Sequence, residues 1–309
     1  MNLFIKQSAD VTGRMWAIGL LLGGAMLLIP PQAVASVQLA QAPPRRSPAE
    51  VQLERGLLEV QQGNVEVAIA AFRQAIELDP SLAPAHYNLG LALRQTGQLQ
   101  EAATAFWQAA QANPQLALAY ANLGAALLEG NNLEQATDYL QRAIEIDPEL
   151  GIAYYNLGLV QLQQQAYEAA LATFEQAKRY SPTAPEPSYY QGLIYLAQNQ
   201  LAAAESAFQA AIARHASYAE AYYNLGIVRF RQENYSTALE AFQRAVDISP
   251  NYANAYYSAG LTLVQLTEPE RALTAFEYAR NLYIAQGQSD WAATTQAQIN
   301  RVKPLTENP

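Results

Sequence analysis

A chain of 309 residues that is 51% hydrophobic and 15% charged has the composition of a globular protein rather than a disordered one. Its net charge of −9 argues against a nucleic-acid binder, because no basic surface is available to neutralise a run of phosphates. The absence of cysteine removes disulfides, thiolate metal sites and cysteine nucleophiles together.

The first element is a leader. Lys6 and Arg14 precede the apolar run Met15 to Ile29, which is followed by Pro30-Pro31 and then Ala33-Val34-Ala35. A basic start, an apolar stretch and an A-x-A site form the pattern of a secretory signal peptide over residues 1–35. The run is shorter than the twenty or so residues of a membrane-spanning helix. Export to a periplasmic or other extracytoplasmic compartment is therefore expected, with an uncleaved N-terminal anchor as the alternative. Residues 36–47, rich in Gln, Ala and Pro, read as a flexible linker.

From there a single period organises the chain. Glycine recurs as Gly56, Gly90, Gly124, Gly158, Gly192, Gly226 and Gly260, every 34 residues without insertion. Alanine follows each glycine by twelve and again by nineteen residues, and between them stand Phe72, Phe106, Leu140, Phe174, Phe208, Phe242 and Phe276. Pro80, Pro114, Pro148, Pro182 and Pro250 close five of the seven units. Each unit predicts a first helix around the glycine and a turn such as Gln95-Thr96-Gly97-Gln98 or Glu129-Gly130-Asn131-Asn132. A second helix, rich in Ala, Glu, Gln and Phe, is then stopped by proline. The small residues allow close helix approach, and Phe or Leu fills the space between them. One unit cannot bury its apolar stripe alone, so stability is expected from stacking.

These residues resemble the tetratricopeptide repeat, whose pattern is aromatic-x-x-Leu-Gly, then Ala-x-x-x-Phe, then Pro over 34 residues. The resemblance covers residues 48–284 as seven repeats. It implies an all-α fold, a right-handed superhelical solenoid of antiparallel helix pairs with a concave groove. Residues 285–302 are expected to form a capping helix and 303–309 a tail. In that helix Trp291, Ile299 and Val302 would cover the last repeat, Gln296, Gln298 and Arg301 would face water, and Pro304 would stop it.

The helical period sorts the tyrosines. Residues four before, one before and three after each glycine share its stripe, which assigns Tyr120, Tyr154, Tyr222 and Tyr256 to the core of their repeats and puts Gln161 and Arg229 at its edge. Residues three and two before the glycine are expected to point roughly the other way. They are Tyr87, Tyr155, Tyr189, Tyr223 and Tyr257 beside Asn88, Asn122, Asn156 and Asn224, with Gln61, Gln95, Gln163 and Gln265 on the same face. By resemblance this face lines the inner groove. Packing has no need of amides there, and a side-chain amide both donates to and accepts from a peptide backbone. The asparagines match the ladder of the O-linked N-acetylglucosamine transferase superhelix, which holds target peptides. That ladder is interrupted here at Tyr190 and Ser258. No transferase domain follows, and the alternative for these asparagines is local bonding to backbone or water. The family's carboxylate clamp needs Lys and Arg at inner positions, where this chain has Leu53, Tyr87, Ala121 and Tyr155; Arg94 and Arg231 read as isolated. Unit five enters through Pro182, Pro185 and Pro187 and carries Tyr189-Tyr190-Gln191 in place of Tyr-Asn-Leu, which is either a stiff loop or an aromatic pocket.

No constellation for catalysis emerges. His86 takes an aromatic core slot, His215 sits near a helix end, and no metalloprotease, hydrolase, P-loop or dinucleotide motif is present. Glu145, Asp147 and Glu149 read as a solvated acidic run, and Asn234-Tyr235-Ser236 is only a formal glycosylation pattern. The expectation is a non-enzymatic, monomeric scaffold without cofactor or metal. It would bind an extended peptide or partner protein, not nucleic acid, through Tyr87, Asn88, Asn122, Tyr155, Asn156, Tyr189, Tyr190, Tyr223, Asn224 and Tyr257. A membrane-associated or envelope complex is the expected setting. A glycan-binding adaptor and a scaffold acting through its convex face are the alternatives.

Overall fold

A computed structural model describes residues 46–307 of the chain. The leader at residues 1–35 and most of the linker at 36–47 lie outside the described residues. Helices joined by short turns make up the described residues, with no strand among them. The first repeat is α1 (Pro48–Gln61) and α2 (Val65–Leu78), the second α3 (Ala83–Gln95) and α4 (Leu99–Ala112). The third is α5 (Ala117–Glu129) and α6 (Leu133–Ile146), the fourth α7 (Gly151–Gln163) and α8 (Tyr167–Tyr180). Then come α9 (Glu186–Ala197) with α10 (Leu201–Arg214), α11 (Ala219–Arg231) with α12 (Tyr235–Ile248), and α13 (Ala253–Gln265) with α14 (Pro269–Ala285), before a single last helix, α15 (Ser289–Glu307). The array is an α-α solenoid.

The period has a steric cause. In every repeat the large side chain sixteen residues after the glycine is fully buried and lies directly over it. A methyl group added at Gly158 would stand 2.6 Å from Cε1 of Phe174, and one at Gly90 equally close to Phe106. The flanking alanines, such as Ala170 and Ala177 around Phe174, are likewise 0% exposed. A side chain at the glycine would push the helices apart and open voids beside the ring.

The turn inside each repeat requires a left-handed residue seven after the glycine. Gly63 and Gly97 supply it in the first two repeats, at φ of 82° and 77°. In the third repeat Gly130 keeps a negative φ of −77° and Asn131 takes the left-handed position at 60°. Gln165, Glu233 and Thr267 occupy it later in the array, at 60°, 63° and 58°. A β-branched residue is poorly suited to that conformation. Thr267→Gly is accordingly expected to stabilise the protein by about 1 kcal/mol, read as a raised thermal midpoint.

Between repeats the chain closes with side chain-to-backbone turns. Asp79, Asn113 and Asp147 each accept, through Oδ1, the amide hydrogen two residues on, at 2.9, 3.1 and 3.0 Å. Asp147, read from sequence as part of a solvated run, therefore also shapes its turn. At the start of α1, Ser47 and Glu50 exchange the two bonds of a capping box.

At the other end Ile299 and Val302 are buried, 5% and 3% exposed, and Trp291 stacks on Tyr283 with ring centres 5.9 Å apart. Gln296 accepts from Arg280 at 2.8 Å, so this side chain does not simply face water. Pro304 does not stop α15, which continues to Glu307. Proline withholds one N–H from the carbonyl of Asn300, a loss tolerable on this exposed last turn.

Candidate partner-binding groove

Successive first helices approach one another more closely than successive second helices do. The array therefore curves with the odd-numbered helices α1 to α13 on the inside. Going round a first helix at about 100° per residue, positions six and two before the glycine and one and five after it fall on one inward arc. The residue three before lies only about 60° from the glycine, and the residue four before about 40° on its other side.

That geometry corrects the assignment of tyrosines to faces. Those three before the glycine do not point away from packing but lean over the aromatic ring of their own repeat. Ring centres lie 5.9 Å apart for Tyr87 and Phe106, 6.3 Å for Tyr155 and Phe174, and 5.8 Å for Tyr189 and Phe208. Tyr223 on Phe242 and Tyr257 on Phe276 repeat the arrangement at 5.9 and 5.6 Å. Tyr223 and Tyr257 are 2% and 0% exposed, so these two are core residues and leave the set of candidate contacts. Tyr87, Tyr155 and Tyr189 keep part of their rings at the surface. Of the tyrosines four before the glycine, Tyr120 packs as assigned against the buried Ala109, Ala110 and Ala119, whereas Tyr154 and Tyr256 line the outer edge of the core. Tyr154 stacks on Tyr180 at 5.4 Å and Tyr256 on the exposed Tyr278 at 5.6 Å. Tyr154 donates its hydroxyl to the Pro148 carbonyl at 3.0 Å, and buried His86 makes the matching 2.9 Å bond to Pro80.

The asparagines also do more structural work than expected. Nδ2 of Asn122 donates to the Leu118 carbonyl at 2.9 Å and to the Tyr87 hydroxyl of the preceding repeat at 3.3 Å. Asn224 does the same to Glu220, at 2.8 Å, and to Tyr189, at 3.3 Å. Asn88 donates to the Pro84 carbonyl at 2.7 Å. Each of these amides ties down its own turn, and two of them bolt one repeat to the last. The Asn122 amide oxygen in turn accepts from the Arg94 guanidinium of the preceding repeat at 3.4 Å, whereas that of Asn88 remains an acceptor without a partner among the described residues. Asn156 makes neither bond among the described residues, and for the one between repeats Ala121 stands where the tyrosine would be. It is 7% exposed and Asn224 4%, so each offers an edge rather than a whole amide.

Repeat five replaces the amide by an aromatic cluster. Tyr190, 7% exposed, stacks on Phe174 at 5.8 Å and 14°, and lies 6.0 Å from Tyr155 and 5.5 Å from Tyr189. The buried Gln191 beside it is satisfied by Lys178, Glu175 and the Leu171 carbonyl. The face-by-face reading missed Tyr218 and Tyr252, eight residues before their glycines and ahead of the helices. Their rings lie 4.9 Å from Tyr189 and 5.0 Å from Tyr223. Also missed were the residues six before the glycine, among them Ile152, 43% exposed on the inner arc. The signal for both was positional, since a register repeated every 34 residues is readable in loops as well as helices.

Charges on this side are few. Arg94 is not isolated: its guanidinium meets the Glu129 carboxylate of the next repeat at 2.7 Å. Arg231 is half-buried and bonds the Leu196 carbonyl at 3.5 Å, and burial holds its pKa below the usual arginine range. Burial likewise pushes the phenols up, Tyr223 and Tyr257 to about 12, so they remain protonated donors at neutral pH. A phenol raised in the folded state contributes stability that is fully present below pH 10 and is lost as pH climbs toward 12. Each of these two tyrosines is expected to remove about 1.4 kcal/mol per pH unit across that window. Thermal midpoints measured alongside tyrosinate absorbance would check this; a midpoint unchanged from pH 9 to pH 12 would contradict it.

Family models described as Tetratricopeptide repeat match residues 83–116, 101–151, 122–185 and 189–253, and one described as TPR repeat matches 56–97. A comparison with curated protein sequences finds no match. Among solved structures, the chain is similar to YrrB, described as a TPR protein with an unusual peptide-binding site. The two are 27% identical over 63% of this chain and 99% of that one, with a TM-score of 0.52. Pseudomonas aeruginosa PilF, 23% identical, covers 67% of this chain and 94% of its own at a TM-score of 0.59. A tetratricopeptide repeat protein from Parabacteroides merdae, 20% identical, covers 80% and 98% at 0.60. The last two show the fold alone. With the seven-unit register, the buried ring over each glycine and these matches together, the chain belongs to the tetratricopeptide repeat family, whose helical arrays serve as protein-interaction scaffolds.

Proposed function

We propose that the chain is a non-enzymatic adaptor that holds an extended segment of a partner protein along the inner face of its first helices. One observation carries the reading. That face combines an unengaged acceptor, the amide oxygen of Asn88, and the Asn122 amide oxygen, which so far accepts only a long 3.4 Å bond from Arg94, with part-exposed Tyr87, Tyr155 and Tyr189 and the exposed Ile152. An extended backbone brings the N–H groups such acceptors lack, and its alternate side chains find apolar and aromatic contacts. The described peptide-binding site of YrrB, a relative of similar architecture, supports the same use. The leader pattern at residues 1–35 supports export and service in an envelope or membrane complex, which N-terminal sequencing of the mature protein would test: a start at Met1 or Asn2 would refute cleavage. The binding reading is tested by selecting random octapeptides displayed on phage against the full chain. Selected peptides should bind the wild type and lose binding to an Ile152→Glu variant. Failure to select any peptide, or peptides indifferent to that change, would remove the inner face as the site.

A further inference from the structure

The inner face changes character at repeats five and six. Six residues before the glycine, where repeats three and four carry Leu118 and Ile152, these two carry Glu186 and Glu220. Both glutamates are part-buried, and neither carboxylate makes an ion pair or hydrogen bond among the described residues. In repeat seven the same position is Asn254, and there the chain satisfies it internally, since the Tyr283 hydroxyl donates to its Oδ1 at 2.6 Å. Glutamate in a first helical turn gains from the helix dipole, but that gain needs no aromatic neighbours. Here the neighbours are a run of four tyrosines. Tyr155 lies 6.0 Å from Tyr190, Tyr190 lies 5.5 Å from Tyr189 at 76°, and Tyr189 lies 4.9 Å from Tyr218. Glu186 stands three and four residues before Tyr189 and Tyr190, on the same side of α9, and Glu220 stands four before Asn224, whose amide bonds the Tyr189 hydroxyl.

Among the described residues no cation pairs with either carboxylate. Arg231 shares α11 with Glu220 but stands eleven residues along it, about 16 Å away. Arg214 is occupied by the carbonyls of Pro182 and Ala210 and by Ser188. Lys178 pairs with Glu175 at 2.7 Å. Two part-buried carboxylates one helical turn from tyrosine rings or from the asparagine that bonds one, in a chain of net charge −9, are complementary to one positive side chain. We propose that the inner face of α9 and α11 is a subsite for a lysine or arginine of the bound partner segment, seated between Glu186 and Glu220 against Tyr189, Tyr190 and Tyr218. Partial desolvation strengthens both the charge-assisted bonds to the carboxylates and the attraction of the cation to the rings. The inference rests on the inner-face reading and adds the chemistry of its occupant.

The octapeptide selection tests it with two further arms. Against the full wild-type chain, selected peptides should share a lysine or arginine at one fixed position. Against a Glu186→Gln, Glu220→Gln variant, peptides should still be selected but without that preference. A chosen peptide whose arginine is replaced by citrulline, neutral and of the same shape, should bind the wild type at least about tenfold more weakly and the double variant no differently, since about 1.4 kcal/mol separates tenfold affinities. A basic preference that survives the double glutamine change overturns the inference. Peptides that lack a fixed basic residue yet fail on Ile152→Glu also overturn it, while leaving the inner-face reading intact. Selection of no peptide overturns both.

Discussion

Replacing Phe174 by alanine is expected to lower stability by about 3–5 kcal/mol, the range for truncating a fully buried aromatic ring. Phe174 is 0% exposed, covers Gly158 and carries both Tyr155 and Tyr190 on its faces. For a unit of this size the thermal midpoint should fall by roughly 10 °C. The companion change, Gly158→Ala, sets two effects against each other. Alanine is better than glycine in a helix interior by about 1 kcal/mol, whereas its methyl would meet the Phe174 ring, and overpacking costs about 1–3 kcal/mol. The clash at 2.6 Å decides the sign, and a net loss is expected. In the Phe174→Ala background the same Gly158→Ala change should become stabilising, because the ring is gone and the helix propensity remains. Denaturant titration of the four proteins checks this as a double-mutant cycle. Additive single effects would mean that the glycine is not there for the ring.

The second large effect separates binding from folding. Ile152→Glu places a charge on an exposed residue of the inner arc and is expected to leave the thermal midpoint unchanged while weakening a selected octapeptide more than tenfold. Asn224→Ala should do the reverse first. Its amide joins Tyr189 of one repeat to the Glu220 carbonyl of the next, and removing it strands the Tyr189 hydroxyl, while the Glu220 carbonyl keeps its backbone bond within the helix, at a cost of about 1–3 kcal/mol. Calorimetry on both variants with one peptide distinguishes them. Loss of stability in Ile152→Glu, or none in Asn224→Ala, would reverse the roles assigned to the two residues.

The contrast between Asn224 and Ile152 shows where sequence reading succeeds and where it stops. The repeat was readable because its determinants are steric and strictly periodic: Gly158 and Phe174 stand sixteen residues apart in a pattern that recurs seven times. The binding face was harder. A tyrosine three residues before the glycine is only about 60° from it, and a ring of that length reaches back over Phe174 or Phe242, which no alternation of polar and apolar letters reveals. The asparagines stood on the expected side of the helix, but their donors go to carbonyls four residues earlier and to tyrosine hydroxyls 35 residues earlier. That use depends on side-chain reach across repeats. Tyr218 sits in a loop, where helical periodicity carries no information, and Glu186 and Glu220 gain interest only beside the rings that three-dimensional packing brings to them.

The most direct test of the inner face as the binding surface is photo-crosslinking with a selected octapeptide that carries a benzophenone at each position in turn, its attachment points on the full chain mapped by mass spectrometry. The expected result is attachment along the inner arc of the first helices, at Leu118, Ile152, Glu186 and Glu220 and their neighbours, advancing by one repeat as the label moves along the peptide. Attachment confined to the second helices α6, α8, α10 and α12 would contradict it.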